Sequence, residues 1–358
     1  MRKLSIRILV ALITLGISVS SSWLLHRPTK PAPVKPAPCP TATPTPQIVT
    51  IPDEDDGADY PEASGLSPWD IASFIDSHPR GKLQKLWKRL NVKDEQSDHS
   101  DFSECGNCES RLDYYDLDSE PGDEALLKIS DALSESYRYL VFKQTGEVHQ
   151  VADRDAWRLI GHIDEWGKYQ ESQSSILVSG GRTWLVTNGQ SASGSGVAYY
   201  HNRVIEVTKN RLNEVASYES EGHQSGWDTC PTREFTTRIL DIQKAQNQTR
   251  VKVEFNLDYL MEDEDRRLFS KRKVGTFVSS NNARPVLDSS ESTVTQRELE
   301  HIYTFDSMTE ADFLKYNLSE LLNLAKRGTK AQKNWLKEFL ERCETTAEKQ
   351  RLLAALAN

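Results

Sequence analysis

From Arg111 to Leu287 the chain is written almost wholly in short segments suited to strands. "YRYLVFK", "AWRLIGHID", "SILVSG", "TWLVTN", "GVAYYHNRVIEVTKN", "LNEVASYE", "REFTTRILDIQKA", "TRVKVEFNLDYLM" and "LFSKRKVGTFVS" are rich in β-branched and aromatic residues. Gly, Asn, Ser or charged turns separate them. Gly180-Gly181 in "ILVSGGRTWLV" is a two-residue hairpin turn, since glycine enters positive φ without steric cost. "DIQKAQNQTRVKVEF" reads as a second hairpin. These segments predict about ten strands in an antiparallel β-meander, closed as a barrel, stacked as a sandwich or left as a strongly curved sheet. No fixed period recurs among them, which removes support for a regular propeller.

Helical text flanks the strands, making the fold class α+β. Ser67 is placed to cap and Pro68 to occupy the first helical position. Trp69, Ile71, Ala72, Phe74 and Ile75 then give a short amphipathic helix. "HPRG" interrupts it before Leu83, Leu86, Trp87 and Leu90 resume helical spacing as a core stripe. Toward the C-terminus, Thr295 stands three residues before Glu298, the spacing of a capping box. Gly328 ends the helix in "TEADFLKYNLSELLNLAKRG", and "KAQKNWLKEFLERCETTAEKQRLLAALA" continues the helical pattern. The predicted division is 1–27 anchor or signal segment, 28–65 linker, and one domain over 66–358. Within that domain 66–93 is helical, 111–290 β-rich and 293–358 helical.

The N-terminus predicts where the domain resides. Arg2, Lys3 and Arg7 precede the apolar run Ile8–Leu25, a basic region before a stretch near the lower length for crossing a bilayer. Trp23, Leu24 and Leu25 carry the run past the small residues Ser18, Ser20 and Ser22, and Trp suits a membrane interface. The reading is an uncleaved single-pass anchor in a bacterial inner membrane, N-terminus cytoplasmic and domain periplasmic, with secretion after cleavage as the alternative. "PTKPAPVKPAPCPTATPTP" then forms a polyproline-like spacer, and "DEDDGADYPE" an acidic, solvated continuation. With this anchor and spacer, the whole chain resembles bacterial envelope proteins. A net charge of −9 across 358 residues argues against a nucleic-acid partner, which would need a basic face. An envelope protein is the expected kind of partner.

An oxidising compartment favours disulfides. Setting aside Cys39 in the spacer, Cys105, Cys108, Cys230 and Cys343 allow three pairings. Redox chemistry at Cys105-Gly-Asn-Cys108 would want a helix N-terminus, but "SRLDYY" follows as a strand. Glu104 and Glu109 would also raise a thiol pKa. Zinc would need a second Cys/His pair at ligand spacing, and Cys230 and Cys343 stand alone. The cysteines are therefore read as structural, bridged locally or through longer loops.

Between "RLDYYDL" and "EALLKIS" lies "DLDSEPGDEALL", which aligns without a gap on D-x-D-G-D-G-x-x-E followed by an apolar strand. This stretch, Asp116–Leu127, resembles the aspartate-rich calcium loops of FG-GAP and VCBS-type secreted β-repeat proteins. The resemblance implies calcium held by the carboxylates of Asp116, Asp118, Glu120 and Glu124 and the carbonyl of Gly122, oxygens of the kind calcium takes six to eight of. Ser119 and Pro121 stand where the pattern has glycines.

No catalytic constellation is complete. "GQSASGSG" and "GHQSG" miss the G-x-S-x-G register around Ser191, Ser193 and Ser225. Gly180, Gly181, Gly194 and Gly196 precede no helix that would cradle phosphate. His162 shares a strand face with Asp164, and His201, His223 and His301 are scattered, so each is read as structural. The long loop "GHQSGWDTCPTREF", with His223, Trp227, Asp228 and Arg233, is the candidate binding loop because functional groups favour loops. The expected function is a tethered extracytoplasmic binding or interaction domain rather than an enzyme. The alternatives are a hydrolase centred on residues 222–233 and a thiol-disulfide protein using Cys105 and Cys108.

Overall fold

The computed structural model describes residues 67–92, 102, 104–145, 157–194, 196–224, 230–261, 266–280, 284–303 and 309–357, all within the unit Asp55–Asn358. The N-terminal apolar run, the proline tract and Cys39 lie outside the described residues. Among the described residues no helix is long and apolar enough to cross a membrane.

Local signals place the first elements. Helix α1 (Pro68–Ser77) starts at a capping box in which the Asp70 amide donates to Ser67 Oγ, 3.1 Å away, and the Ser67 amide donates to Asp70 Oδ2 at 3.3 Å. Ile71, Phe74 and Ile75 form its buried stripe, together with Leu86 and Trp87 of α2 (Gln84–Leu90). Trp69 is the exception in the expected stripe. It precedes Ile71 by two residues, more than half a helical turn away, and is 50% exposed. Between the helices, β1 (Gly81–Lys82) pairs with β2 (Glu104–Cys105).

The strands form α+β architecture through two antiparallel meanders. The first holds β3 (Cys108–Tyr115), β4 (Glu124–Asp131), β5 (Ser136–Gln144) and β6 (Trp157–Trp166) in sequence order. The second runs β7 (Gln173–Ser179), β8 (Arg182–Gly194), β9 (Val197–Thr208), β10 (Arg211–Gln224), β11 (Thr232–Ala245), β12 (Gln248–Met261), β13 (Arg266–Ser280) and β14 (Val286–Leu287), also in order. It does not close into a barrel. The break between the sheets falls at residues 167–172. A Cβ on Gly167 would lie 2.3 Å from the Gln170 carbonyl oxygen, so the chain turns tightly only because glycine is there. Far along β8, Gln190 Oε1 accepts from the Lys168 amide at 2.6 Å, and the Asn188 carbonyl accepts from Ser172 Oγ at 2.5 Å. These contacts hold the turn against the second sheet, so β7 does not add to β6. At the expected Gly180-Gly181 hairpin the two glycines take φ of 61° and 71°.

Alternation of side chains then builds the layers. Ala125, Leu127, Ile129, Leu140 and Phe142 face α1 and α2. Their neighbours Leu126, Tyr139 and Val141 face the second sheet, meeting Leu185, Ile205 and Val207. On the reverse of those strands, Trp184, Val186, Val204 and Tyr218 pack against Val251, Val253, Phe255 and Phe277 of β12 and β13. The large sheet therefore folds over on itself, with the Tyr218 and Phe277 rings stacked at 5.9 Å. The rest of the inner face of β11–β13 is covered by α3 (Gln296–Tyr303), α4 (Glu310–Tyr316), α5 (Leu318–Arg327), α6 (Lys330–Arg342) and α7 (Ala347–Ala357). The fully buried Phe313 makes edge contacts with Tyr259 and Phe339 at 5.5 and 5.2 Å. Truncating such a ring typically costs about 3–5 kcal/mol. The Thr295–Glu298 capping box forms as expected, with the Glu298 amide donating to Thr295 Oγ1 at 3.1 Å and the Thr295 amide to Glu298 Oε2 at 3.0 Å. Gly328 ends α5 by close approach rather than by a left-handed turn. Its φ is −63°, and a Cβ would meet the Leu324 carbonyl oxygen at 2.5 Å.

Candidate functional site

The large sheet has one weak seam. β9 and β10 pair from Arg211↔Thr208 to Gln224↔Val197, and β11 and β12 pair from Thr232↔Leu260 to Ala245↔Gln248. β10 and β11 pair only over Glu221↔Thr236, Gly222↔Phe235, His223↔Glu234 and Gln224↔Arg233. Tyr199 and Phe235 fill the bonded end, their ring centroids 5.7 Å apart. Gly222 allows this, because a Cβ there would sit 2.1 Å from the Tyr199 ring. Past the Thr237 hydroxyl, which donates to the Ser220 carbonyl at 2.9 Å, the strands part. Bulges at Glu214/Ala216 and Glu219/Glu221 bend β10, and one at Ile239/Asp241 bends β11.

The parted strands leave an open cleft of about 550 Å³. Arg203 reaches it from β9, Arg211 and Glu214 from β10, Lys244 from β11, and Arg284 from the segment before β14. Asn213, Ser217, Asn247, Thr249, Ser279 and Ser280 add neutral donors and acceptors. Four cations thus face two carboxylates, Glu206 and Glu214. Glu206 binds the Lys244 ammonium and lies 3.8 Å from Arg182. Arg203 lies 3.9 Å from Glu214. Burial pushes the Glu214 pKa up, and the attraction of Arg203 offsets only part of that rise. Volume places the cleft within the usual range for small-ligand sites, but its wall is polar where such sites are mostly apolar.

Behind Arg203 a buried network joins the two sheets. Glu165 of β6 accepts from Thr187 Oγ1 at 2.7 Å, pairs with His201 Nε2 at 2.7 Å and lies 3.5 Å from Arg203. Burial alone would raise the Glu165 pKa; His201, Arg203 and Thr187 outweigh it and hold the value below the ordinary carboxylate range. Glu165 fixes where Arg203 enters the cleft.

The acidic loop turns through two residues of positive φ. Ser119, which stands where the aspartate-rich pattern has glycine, takes φ of 61°, and Gly122 takes 97°. The amides of Ser119 and Glu120 donate to Asp116 Oδ1 and Asp118 Oδ1, both at 2.9 Å. Buried Glu124 accepts from the Leu117 amide at 2.7 Å and the Asp118 amide at 3.3 Å. The carboxylates of Asp116, Asp118 and Glu124 converge to within 4.8 Å of one another. Glu120 points elsewhere, with Oε2 4.0 Å from Lys209. Lys143 of β5, the ladder partner of Glu124, reaches into the group. Its ammonium lies 2.8 Å from Asp118 Oδ1, 2.5 Å from Glu124 Oε1 and 3.2 Å from the Gly122 carbonyl oxygen.

Cys105 and Cys108 are bridged, with Cα atoms 5.5 Å apart, while Cys230 and Cys343 are separate buried thiols. Of the pairings open to the sequence, the local one is formed. Asp131 grips the bridged turn by accepting from the amides of Gly106 and Asn107 at 3.2 and 3.0 Å. Burial would raise the Asp131 pKa, but these amides, with Leu133 and Ser134, bring it below the ordinary value.

In the loop around residues 222–233, Trp227 and Asp228 lie outside the described residues. His223 is half-buried and pairs with Glu234 at 3.0 Å. Arg233 is 5% exposed and turned inward, bonded to Gln224 and, at 3.2 Å, to the Tyr199 hydroxyl. His162 and Asp164 do lie two apart on β6, but Asp164 is taken by Arg138 at 2.7 Å. Sequence reasoning missed Arg203, Arg211, Lys244 and Arg284. Arg203 lies within β9 and the others near strand ends or in a turn, and only the folding back of the sheet brings them together. No family model matches the chain, and neither curated proteins nor solved structures include one similar to it.

Proposed function

We propose that the chain is a tethered extracytoplasmic binding module, and that its ligand is a small molecule carrying phosphate, sulfate or carboxylate groups. The observation that carries this reading is the cationic excess in the β10/β11 cleft: Arg203, Arg211, Lys244 and Arg284 against Glu206 and Glu214. Guanidinium groups offer planar, paired donors suited to such anions, and a partly enclosed cleft strengthens their field. Binding is favoured over catalysis because, among the described residues, the cleft lining contains no histidine or cysteine. Its carboxylates lie beside Lys244 and Arg203 rather than beside a hydroxyl that they could activate. The N-terminal apolar run supports tethering, and the buried Cys105–Cys108 bridge suits an oxidising compartment.

The hydrolase reading rests on the partly exposed His223–Glu234 pair, an acid–base couple without a nucleophile beside it among the described residues. Thiol exchange is disfavoured by the burial of Cys105 and Cys108, 5% and 2% exposed. The deciding measurement is thermal unfolding of the purified protein in inorganic phosphate, sulfate and citrate at matched ionic strength. The expected result is a rise in Tm with at least one anion, lost in the R211A/R284A double variant. An equal rise in that variant, or no rise with any of the three, refutes the anion site.

A further inference from the structure

We infer that the Asp116–Glu124 loop is a cation site whose cation is the chain's own Lys143, and that this ammonium takes the place of a calcium ion. The loop has the form of a metal loop: three convergent carboxylates, a carbonyl turned inward at Gly122, and left-handed backbone at Ser119 and Gly122. Lys143 Nζ stands among Asp118 Oδ1, Glu124 Oε1 and the Gly122 oxygen at 2.8, 2.5 and 3.2 Å. These are three of the five groups that the loop would offer to calcium.

Enclosure makes the arrangement specific. The side chains of Lys143, Asp118 and Glu124 are 5%, 3% and 0% exposed. Two carboxylates so buried and so near each other need a positive charge, because an uncompensated buried charge is costly. Asp118 Oδ2 is buried without a hydrogen-bond partner and remains as spare acceptor capacity. A calcium ion needs oxygens at about 2.3–2.6 Å on most sides, and the ammonium stands where those oxygens converge. The lysine is delivered by strand register, Lys143 lying directly opposite Glu124. Once β4 and β5 pair, the charge is in place and no ion has to be recruited.

The test uses the purified protein and calcium itself. Thermal unfolding of the native protein in EGTA and in about 10 mM calcium, well above the affinity typical of extracellular modules, should give the same Tm. Lys143→Met removes the charge and keeps the stem. It should lower Tm in EGTA and recover roughly 2–4 °C or more in calcium, an effect abolished by adding Asp118→Asn. Calcium stabilisation of the native protein would overturn the inference, as would a folded Lys143→Met protein indifferent to calcium. If Lys143→Met folds in neither buffer, calorimetric titration of the native protein decides. Calcium binding that Asp118→Asn removes refutes the self-supplied cation, and no such binding supports it.

Discussion

The small sheet and the open end of the large sheet use the same kinds of charged residue for opposite ends. In the small sheet two of the charges taken inside, Arg138 and Lys143, have a counter-charge delivered by register. Arg138 lies opposite Asp164 and makes two bonds of 2.7 Å to its carboxylate, with Trp87 and Phe102 rings 4.7 and 4.9 Å from the guanidinium. Lys143 lies opposite Glu124 in the same way. At the β10/β11 cleft the charges come from β9, β10, β11 and the segment before β14, line a gap where β10 and β11 are not bonded, and are unequal in number. Matched and enclosed charges hold a fold together; an open cleft with more cations than carboxylates in its lining presents a net positive field. The difference comes from the ladder, since paired strands bring partners face to face and parted strands leave room between them.

The largest expected effect is at Arg138. Arg138→Ala leaves Asp164 charged and nine-tenths enclosed, and should cost about 3–5 kcal/mol in urea unfolding. Replacing both partners by Met and Leu should cost far less. A loss below about 1 kcal/mol for the single variant would place this pair with weak surface ion pairs instead. Next comes the Cys105–Cys108 bridge. Because its loop is so short, chain entropy limits its contribution to about 2 kcal/mol, and the double serine variant should lose no more than that.

Acid should then separate the regions. Glu165 has a folded-state pKa below its unfolded value, so its stabilisation is present above about pH 4.3 and disappears as pH falls through the lower folded value. Glu165→Gln should flatten the loss of stability in that window and leave the slope near neutrality unchanged. A slope unchanged in acid would show that His201 and Arg203 do not favour the ionised form. Smallest of all is the R211A/R284A variant. Its unfolding free energy should stay within about 0.5 kcal/mol of the parent, and a larger loss would mean that the cleft arginines are structural like Arg138. Where anions do bind, affinity should rise as pH falls toward the raised pKa of Glu214, because protonation there removes a negative charge from the cleft.

Local features were legible in the sequence and distant ones were not. Ser67, Thr295, Gly180 and Gly181 specify their caps and turn within a few residues, and the structure places each where its chemistry demands. The strand segments were readable for the same reason. The division into two sheets was not, because it depends on Lys168 and Ser172 finding Gln190 and Asn188 on a later strand. In the acidic loop the carboxylates could be read directly. Lys143, at the end of "YRYLVFK", looked like the polar end of a strand, and its role depends on standing opposite Glu124. Arg233 illustrates the converse: a charged loop-edge residue resembles a binding group until it is found enclosed beside Gln224 and Tyr199.

The short seam between β10 and β11 also bears on how such a protein can diversify. A continuous ladder fixes neighbouring strands about 4.8 Å apart whatever their side chains, whereas past Thr237 the gap is set by side chains alone. Exchanges at Asn213, Ser217 or Thr249 can therefore reshape the recess while leaving every backbone ladder in place. Descendants of one ancestral gene could acquire new molecular tastes there without refolding the scaffold.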